Sequence, residues 1–178
     1  MNEKTFIILG MHKSATSLIA GGLNNFGVNM GEKLMGGDEW NKIGYFEDME
    51  FFRLNEEILK AAGGSWYEPP SERKILALKK EFGPKIKKLV EKKSGLWGWK
   101  DPRTTLTIKL YLPYLKNPHF ICCFRDPKEV ARSLSKTQGI STEKALKLAG
   151  IYNKRLLKFL KEVYENSGIY YLNSHRSV

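Results

Sequence analysis

The first 26 residues constrain the fold of this chain more than any other part. Thr5 to Leu9 form a short β-branched and aromatic run, which predicts a strand that ends at Gly10. The next segment, from Ser14 to Phe26, has apolar residues at helical spacing, among them Leu18 and Leu23. The chain therefore begins with a strand, a tight loop and a helix, an order typical of α/β proteins with parallel sheets.

Short apolar runs and helical segments alternate along the rest of the chain, which predicts an α/β fold with a mostly parallel sheet flanked by helices. A length of 178 residues suits a single domain, 1–178. The further predicted strands are Leu96 to Trp99, His119 to Phe124 and Ile169 to Leu172. The further predicted helices are Phe46 to Ala62, a basic stretch from Ser71 interrupted at Gly83-Pro84, Thr104 to Leu115 with a break near Pro113, a helix starting at Asp126-Pro127, and Thr142 to Glu165.

The formal net charge of +11 predicts negatively charged partners. Nucleotide phosphates, acidic glycans, acidic lipids and nucleic acid all satisfy this charge, as does a basic surface with no specific role. The only cysteines, Cys122 and Cys123, are adjacent and fit two reduced apolar side chains. No metal-ligand spacing and no long apolar stretch occurs, so we expect a soluble, cytoplasmic protein without a metal or a transmembrane segment.

The loop after the first predicted strand is a candidate anion site. Unpaired N–H groups at a helix N-terminus attract an anion, and Lys13 adds an ammonium group there. The alternative is an ordinary helix start rich in Ser and Thr. A nucleoside triphosphate loop needs Gly directly before Lys, whereas His12 precedes Lys13, so the Walker pattern is absent.

The segment Gly10-Met11-His12-Lys13-Ser14-Ala15-Thr16-Ser17 resembles the 5′-phosphosulfate loop of sulfotransferases that use PAPS (3′-phosphoadenosine 5′-phosphosulfate). The resemblance implies a three-layer P-loop fold of the sulfotransferase type. It also implies that the donor is bound by His12, Lys13, Ser14, Ala15, Thr16 and Ser17. The family usually has Gly where this chain has Ala15. A helical conformation there tolerates the methyl group, whereas a positive φ or a close phosphate weakens binding.

Three further segments resemble the same family and follow in the same order. Phe124-Arg125 and Ser133, eight residues after the Arg, resemble its 3′-phosphate motif, in which both side chains bind one phosphate. Lys100-Asp101-Pro102 resembles the segment whose Lys lies against the transferring group, and Gly44-Tyr45-Phe46-Glu47-Asp48 resembles one that supplies the base. The alternatives are a Lys100–Asp101 ion pair and a carboxylate pair, Glu47 and Asp48, at a helix start.

The resemblance implies sulfuryl transfer from PAPS to a hydroxyl on a small molecule or glycan, with 3′,5′-ADP as product, no metal and no specific nucleic acid partner. Its catalytic residues are Lys13 at the leaving group, Glu47 as base and Lys100 at the sulfuryl oxygens. Two alternatives remain, a P-loop kinase and a non-catalytic nucleotide-binding or polyanion-binding protein. Sulfotransferases usually continue beyond the strand expected at 169–172, so we also expect this chain to lack the usual C-terminal extension.

Overall fold

The structure is a computed structural model that describes residues 3–39, 41–42 and 44–164. Its strands are β1 (Lys4–Gly10), β2 (Leu96–Lys100) and β3 (Pro118–Cys123). They form a parallel sheet in the order β2-β1-β3. The predicted α/β class is confirmed, because helices flank this sheet. The predicted strand at 169–172 lies outside the described residues.

Alternating side chains of β1 enter two separate cores, as the period of two along a strand requires. Ile7 and Leu9 are fully buried in the larger core, and Ile8 is fully buried in a smaller core with Ala20. The helices are α1 (Thr16–Asn25), α2 (Met49–Ala61), α3 (Glu72–Ala77), α4 (Lys79–Glu91), α5 (Thr104–Tyr111), α6 (Pro127–Gln138) and α7 (Thr142–Tyr164), with a 3-10 turn at Leu112–Tyr114.

Side-chain caps begin four of these helices, among them α7, which Ser141 caps. The carboxylates of Asp48 and Asp126 accept hydrogen bonds from the N–H groups of Glu50 and Lys128, at 2.9 and 2.7 Å. Ser71 caps α3 in the same way. The predicted start at Asp126-Pro127 is confirmed. α2 begins at Met49 and not at the predicted Phe46, so Glu47 precedes the helix.

The predicted interruption at Gly83-Pro84 is wrong, because α4 runs through both residues and the chain breaks instead at Leu78, between α3 and α4. Pro84 is the sixth residue of α4, so the helix continues without the hydrogen bond that an N–H at this position would donate to the Lys80 carbonyl. Gly83 leaves room for the Tyr114 hydroxyl, which would lie 2.5 Å from a Cβ at that position. Among the described residues, every helix is too short or too polar to cross a bilayer.

Candidate functional site

The loop between β1 and α1 has an unusual backbone. Lys13 and Ala15 both have positive φ, 65° and 61°, while Ser14 between them does not. A backbone that alternates in this way turns successive N–H groups toward one concavity, which suits an anion. Since α1 begins at Thr16, its unpaired N–H groups add to the same concavity. Ala15 therefore has the positive φ that the family's glycine would adopt more easily.

Gly10 fixes where this loop leaves the sheet. A Cβ at Gly10 would lie 2.8 Å from the carbonyl oxygen of Cys123, so β1 approaches β3 too closely for any side chain here. The Thr105 hydroxyl accepts a hydrogen bond from the Gly10 N–H at 2.9 Å and faces the Gly10 carbonyl at 3.2 Å. The loop is thereby attached to the start of α5.

A cavity of about 260 Å³ opens above this loop. Eight of the ten predicted site residues line it, and they come from four separate segments of the chain. These eight are His12, Lys13, Ala15, Thr16, Ser17, Glu47, Lys100 and Arg125. We call this space the phosphate cavity. Sequence reasoning did not assign its other lining residues, which are Asn41, Tyr45, Pro102, Leu134 and Gln138.

The two remaining predicted residues lie elsewhere. Ser14 is 3% exposed, and its Oγ has no hydrogen-bond partner in the protein. A buried hydroxyl without a partner is costly and is found where a ligand or water completes the site. Ser133 is half-buried on α6 and does not line the phosphate cavity, although Leu134 and Gln138 of the same helix do.

Arg125 lies against the loop itself. Its Nη1 donates to the Lys13 carbonyl at 2.8 Å, and its Nη2 lies 3.6 Å from a carboxylate oxygen of Glu129. Lys13 is half-buried, and this burial lowers the pKa of its ammonium group, with Asp38 opposing the shift. Lys13 and Arg125, from distant segments, thus both place a cationic side chain in the phosphate cavity's lining.

Glu47 and Lys100 form a buried ion pair. Glu47 Oε1 accepts a hydrogen bond from Lys100 Nζ at 2.6 Å, and the side chains are 6% and 1% exposed. Burial raises the pKa of Glu47 and lowers the pKa of Lys100, while their mutual attraction opposes both shifts. Each group therefore depends on the other to stay charged in this buried setting.

Glu47 and Asp48, the two carboxylates considered for the base, differ in where they lie. Asp48 caps α2 and forms an ion pair with Lys93 at 3.0 Å, away from the phosphate cavity. Glu47 lines the cavity. The alternative Lys100–Asp101 pair does not form, because adjacent side chains at the end of β2 point to opposite sides. Lys100 pairs with Glu47, and Asp101 pairs with Arg103 at 3.0 Å.

Behind this pair lies a buried polar network that sequence reasoning missed. Asn55 is its centre and is fully buried. Its amide nitrogen donates to Asp101 at 2.8 Å and to Thr104 at 3.0 Å, and its oxygen accepts from Thr107 at 2.6 Å and from Tyr111 at 2.9 Å. The buried polar network consists of Asn55, Asp101, Arg103, Thr104, Thr107 and Tyr111.

Arg103 connects the network to the cavity. Its guanidinium contacts Asp101, Glu56 and, at 3.6 Å, Glu47 Oε2. Its proximity to Lys100 in the sequence was the only signal that could have identified it, because its partners Glu47 and Glu56 lie about fifty residues away. Both oxygens of Glu47 thus face a cation, Lys100 at one and Arg103 at the other.

His12 links the loop to another part of the molecule. Its ring packs on Trp66 with centroids 4.4 Å apart and meets the edge of Tyr152 at 6.3 Å. Burial, then Arg103, Lys100 and Lys13, hold the pKa of His12 well below its ordinary value of 6.5. His12 is therefore neutral at physiological pH. Within the described residues, no cluster of His, Cys, Asp and Glu suited to a metal ion occurs.

Comparisons of the chain with protein-family models, with curated proteins and with solved structures found no match. Its function is therefore argued from the residues of the site.

Proposed function

We propose that this chain is a PAPS-dependent sulfotransferase with a P-loop fold, which transfers a sulfuryl group to a hydroxyl acceptor. The observation that carries the proposal is the meeting of eight predicted residues from four segments in one phosphate cavity. The resemblance named these residues without any knowledge of how the chain folds. Their convergence at the carboxyl end of a parallel sheet supports a ligand site, since ligands of open α/β sheets bind there.

The phosphate loop offers the donor a cationic and hydrogen-bonding surface. Lys13, the N–H groups at the start of α1 and the hydroxyls of Thr16 and Ser17 suit the 5′-phosphosulfate. Ser14, which does not line the cavity, keeps its assignment to the donor as a prediction. Arg125, anchored to the Lys13 carbonyl, suits a second phosphate such as the 3′-phosphate. Ser133 keeps its assignment to that phosphate as a prediction. Lys13 and the helix N-terminus supply positive charge here, so the proposal assigns no metal.

PAPS, when bound, supplies the sulfuryl group, whose sulfur gains the acceptor oxygen and loses the phosphate oxygen of 3′,5′-ADP. Glu47 accepts the proton of the acceptor hydroxyl. Its Oε2 is the less tightly held oxygen, because the Arg103 guanidinium lies 3.6 Å away whereas Lys100 lies 2.6 Å from Oε1. Lys100 keeps N–H donors for the sulfuryl oxygens, and Lys13 neutralises the charge of the leaving group.

Transfer of sulfur-35 from labelled PAPS to a mixed panel of hydroxyl compounds tests this assignment. Glu47→Gln is expected to lower turnover by about 10²- to 10⁴-fold, the usual contribution of a general base, and to leave 3′,5′-ADP affinity unchanged. The matched control is Asp48→Asn, which alters the neighbouring carboxylate outside the cavity and is expected to lower stability without lowering turnover. Full turnover in Glu47→Gln removes Glu47 from the base role.

Two competing functions make different predictions in the same preparation. A P-loop kinase is stabilised by Mg-ATP, and chelation abolishes the effect. A non-catalytic basic protein binds polyanions with a steep dependence on salt and is indifferent to 3′,5′-ADP. Binding of 3′,5′-ADP without any transfer from PAPS would indicate a nucleotide-binding protein that does not catalyse the reaction.

A further inference from the structure

Next to the phosphate cavity, two open pockets share lining residues and together form a groove along the protein surface. Its first part, about 530 Å³, shares Gln138 with the phosphate cavity. Its second part, about 570 Å³, shares Tyr67, Ser141 and Lys144 with the first. Volumes of this size are typical of sites for small organic ligands. A molecule lying in this groove has one end beside Gln138, at the edge of the phosphate cavity.

One wall of the groove is held against the phosphate loop. Trp66 packs on His12 with centroids 4.4 Å apart, and its carbonyl accepts a hydrogen bond from the Tyr152 hydroxyl at 3.0 Å. Tyr67 meets the Trp66 ring edge-on at 5.4 Å. The segment between α2 and α3 is thus fixed at Trp66 and presents Tyr67, which is 44% exposed, as an aromatic surface.

The polar groups of the groove are balanced in charge. Lys144 Nζ lies over one face of the Tyr67 ring, 5.2 Å from its centre, which leaves the other face for a ligand, and forms an ion pair with Glu68 at 3.2 Å. The other charged residues along the groove are Lys147 and Glu143, one cation and one anion. With Gln138 and Ser141, the groove presents donors and acceptors side by side. A strongly anionic ligand gains little from such a lining, despite the overall charge of +11.

We propose that this groove binds the acceptor and that the acceptor is a neutral saccharide. A sugar ring has an apolar face of C–H groups, which suits the exposed Tyr67 ring, and an edge of hydroxyls that both donate and accept hydrogen bonds. The open, polar groove fits such a ring better than a wholly apolar alcohol. Because Gln138 lines both the groove and the phosphate cavity, one end of the bound chain lies beside the cavity that Glu47 also lines. This inference rests on the proposed function.

The test probes an array of immobilised glycans with the full-length labelled protein. We expect the wild type to bind neutral oligosaccharides, Tyr67→Ala to lose about tenfold in apparent affinity, and Tyr67→Phe to keep most of it because the ring remains. The matched control is Phe26→Ala, which removes an aromatic ring that is 86% exposed on α1 and outside the groove. Its glycan binding is expected to equal that of the wild type.

Thermal shift by 3′,5′-ADP on the same proteins separates the two levels of the proposal. A normal shift together with no glycan binding, or with binding unaffected by Tyr67→Ala, overturns the acceptor groove alone. Binding restricted to sulfated or acidic glycans, or to simple phenols, overturns the neutral saccharide class. A wild-type protein that 3′,5′-ADP does not stabilise overturns the donor assignment, and the acceptor role of the groove fails with it.

Discussion

The phosphate cavity and the buried polar network both adjoin the Glu47–Lys100 pair and differ in how their polar atoms are satisfied. In the network, Asn55 makes four hydrogen bonds and has no exposed surface. In the phosphate loop, Ser14 Oγ and His12 Nδ1 are buried without partners, and Lys13 and Ala15 have strained backbones. The satisfied groups of the network hold the fold together, whereas the unsatisfied groups and local strain of this loop suit a surface that a ligand completes.

The largest effect is expected from breaking the network at its centre. Asn55→Ala leaves Asp101, Thr107 and Tyr111 each short of a buried hydrogen bond, so we expect a loss of about 3 kcal/mol in the free energy of unfolding. Urea denaturation measures it. Asn25→Ala, an exposed asparagine at the end of α1, is the matched control and should lie close to the wild type. Equal stability of the two variants would show that the network does not support the fold.

In the phosphate cavity, the substitution to compare with Asn55→Ala is Lys13→Ala. Loss of one charge-assisted hydrogen bond is expected to weaken 3′,5′-ADP binding by about 10- to 100-fold, measured by titration calorimetry, with little change in stability. Lys13→Arg keeps the charge and should retain most of the affinity. If Lys13→Ala lowered stability as much as Asn55→Ala and left affinity unchanged, the contrast between the two regions would fail.

Ala15→Gly sharpens the comparison by relieving strain in the loop. A left-handed conformation is unfavourable for alanine by about 1 kcal/mol, so we expect the variant to be more stable by about that amount and to bind 3′,5′-ADP at least as well. Ala61→Gly, at the exposed end of α2, is the matched control. It should be less stable by roughly 0.5–1 kcal/mol, because glycine is a poor helix former. Thermal unfolding shows whether each variant is more or less stable than the wild type. A destabilised Ala15→Gly would contradict the account.

The smallest effect is the pH dependence contributed by His12. Its pKa is lowered in the folded state, so the unfolded chain binds the proton first and stability falls as the pH drops through the unfolded value, about 6.5. Between pH 7.5 and 6.0 we therefore expect this single group to lower the free energy of unfolding. Denaturation of the wild type and of His12→Gln at both pH values isolates the contribution of His12 to the pH dependence of stability. Parallel pH profiles for the two proteins would mean that His12 titrates normally.

Local patterns predicted the scaffold well. The boundaries of β1, the cap at Asp126 and the break near Pro113 follow from period, capping chemistry and proline geometry, which act over a few residues. The break predicted at Gly83-Pro84 was wrong, because the reason for Gly83 is a hydroxyl from Tyr114, thirty-one residues away.

The sequence predicted part of the site. It identified the short segments that line the cavity but not the contacts between their side chains. Lys100 and Asp101 look like a pair in sequence, yet the strand turns them apart and each finds a partner elsewhere. Asn55 lies among ordinary helical residues of α2, and nothing in its neighbours indicates four buried hydrogen bonds. Such pairings depend on how distant elements pack, which a local pattern does not contain.

Thermal denaturation of the wild-type protein with 3′,5′-ADP in the presence of EDTA, beside Mg-ATP without chelator, tests the central claim most directly. The account predicts that 3′,5′-ADP raises the unfolding temperature without any metal and that Lys13→Ala abolishes most of this rise. A rise with Mg-ATP alone, and none with 3′,5′-ADP, would contradict it.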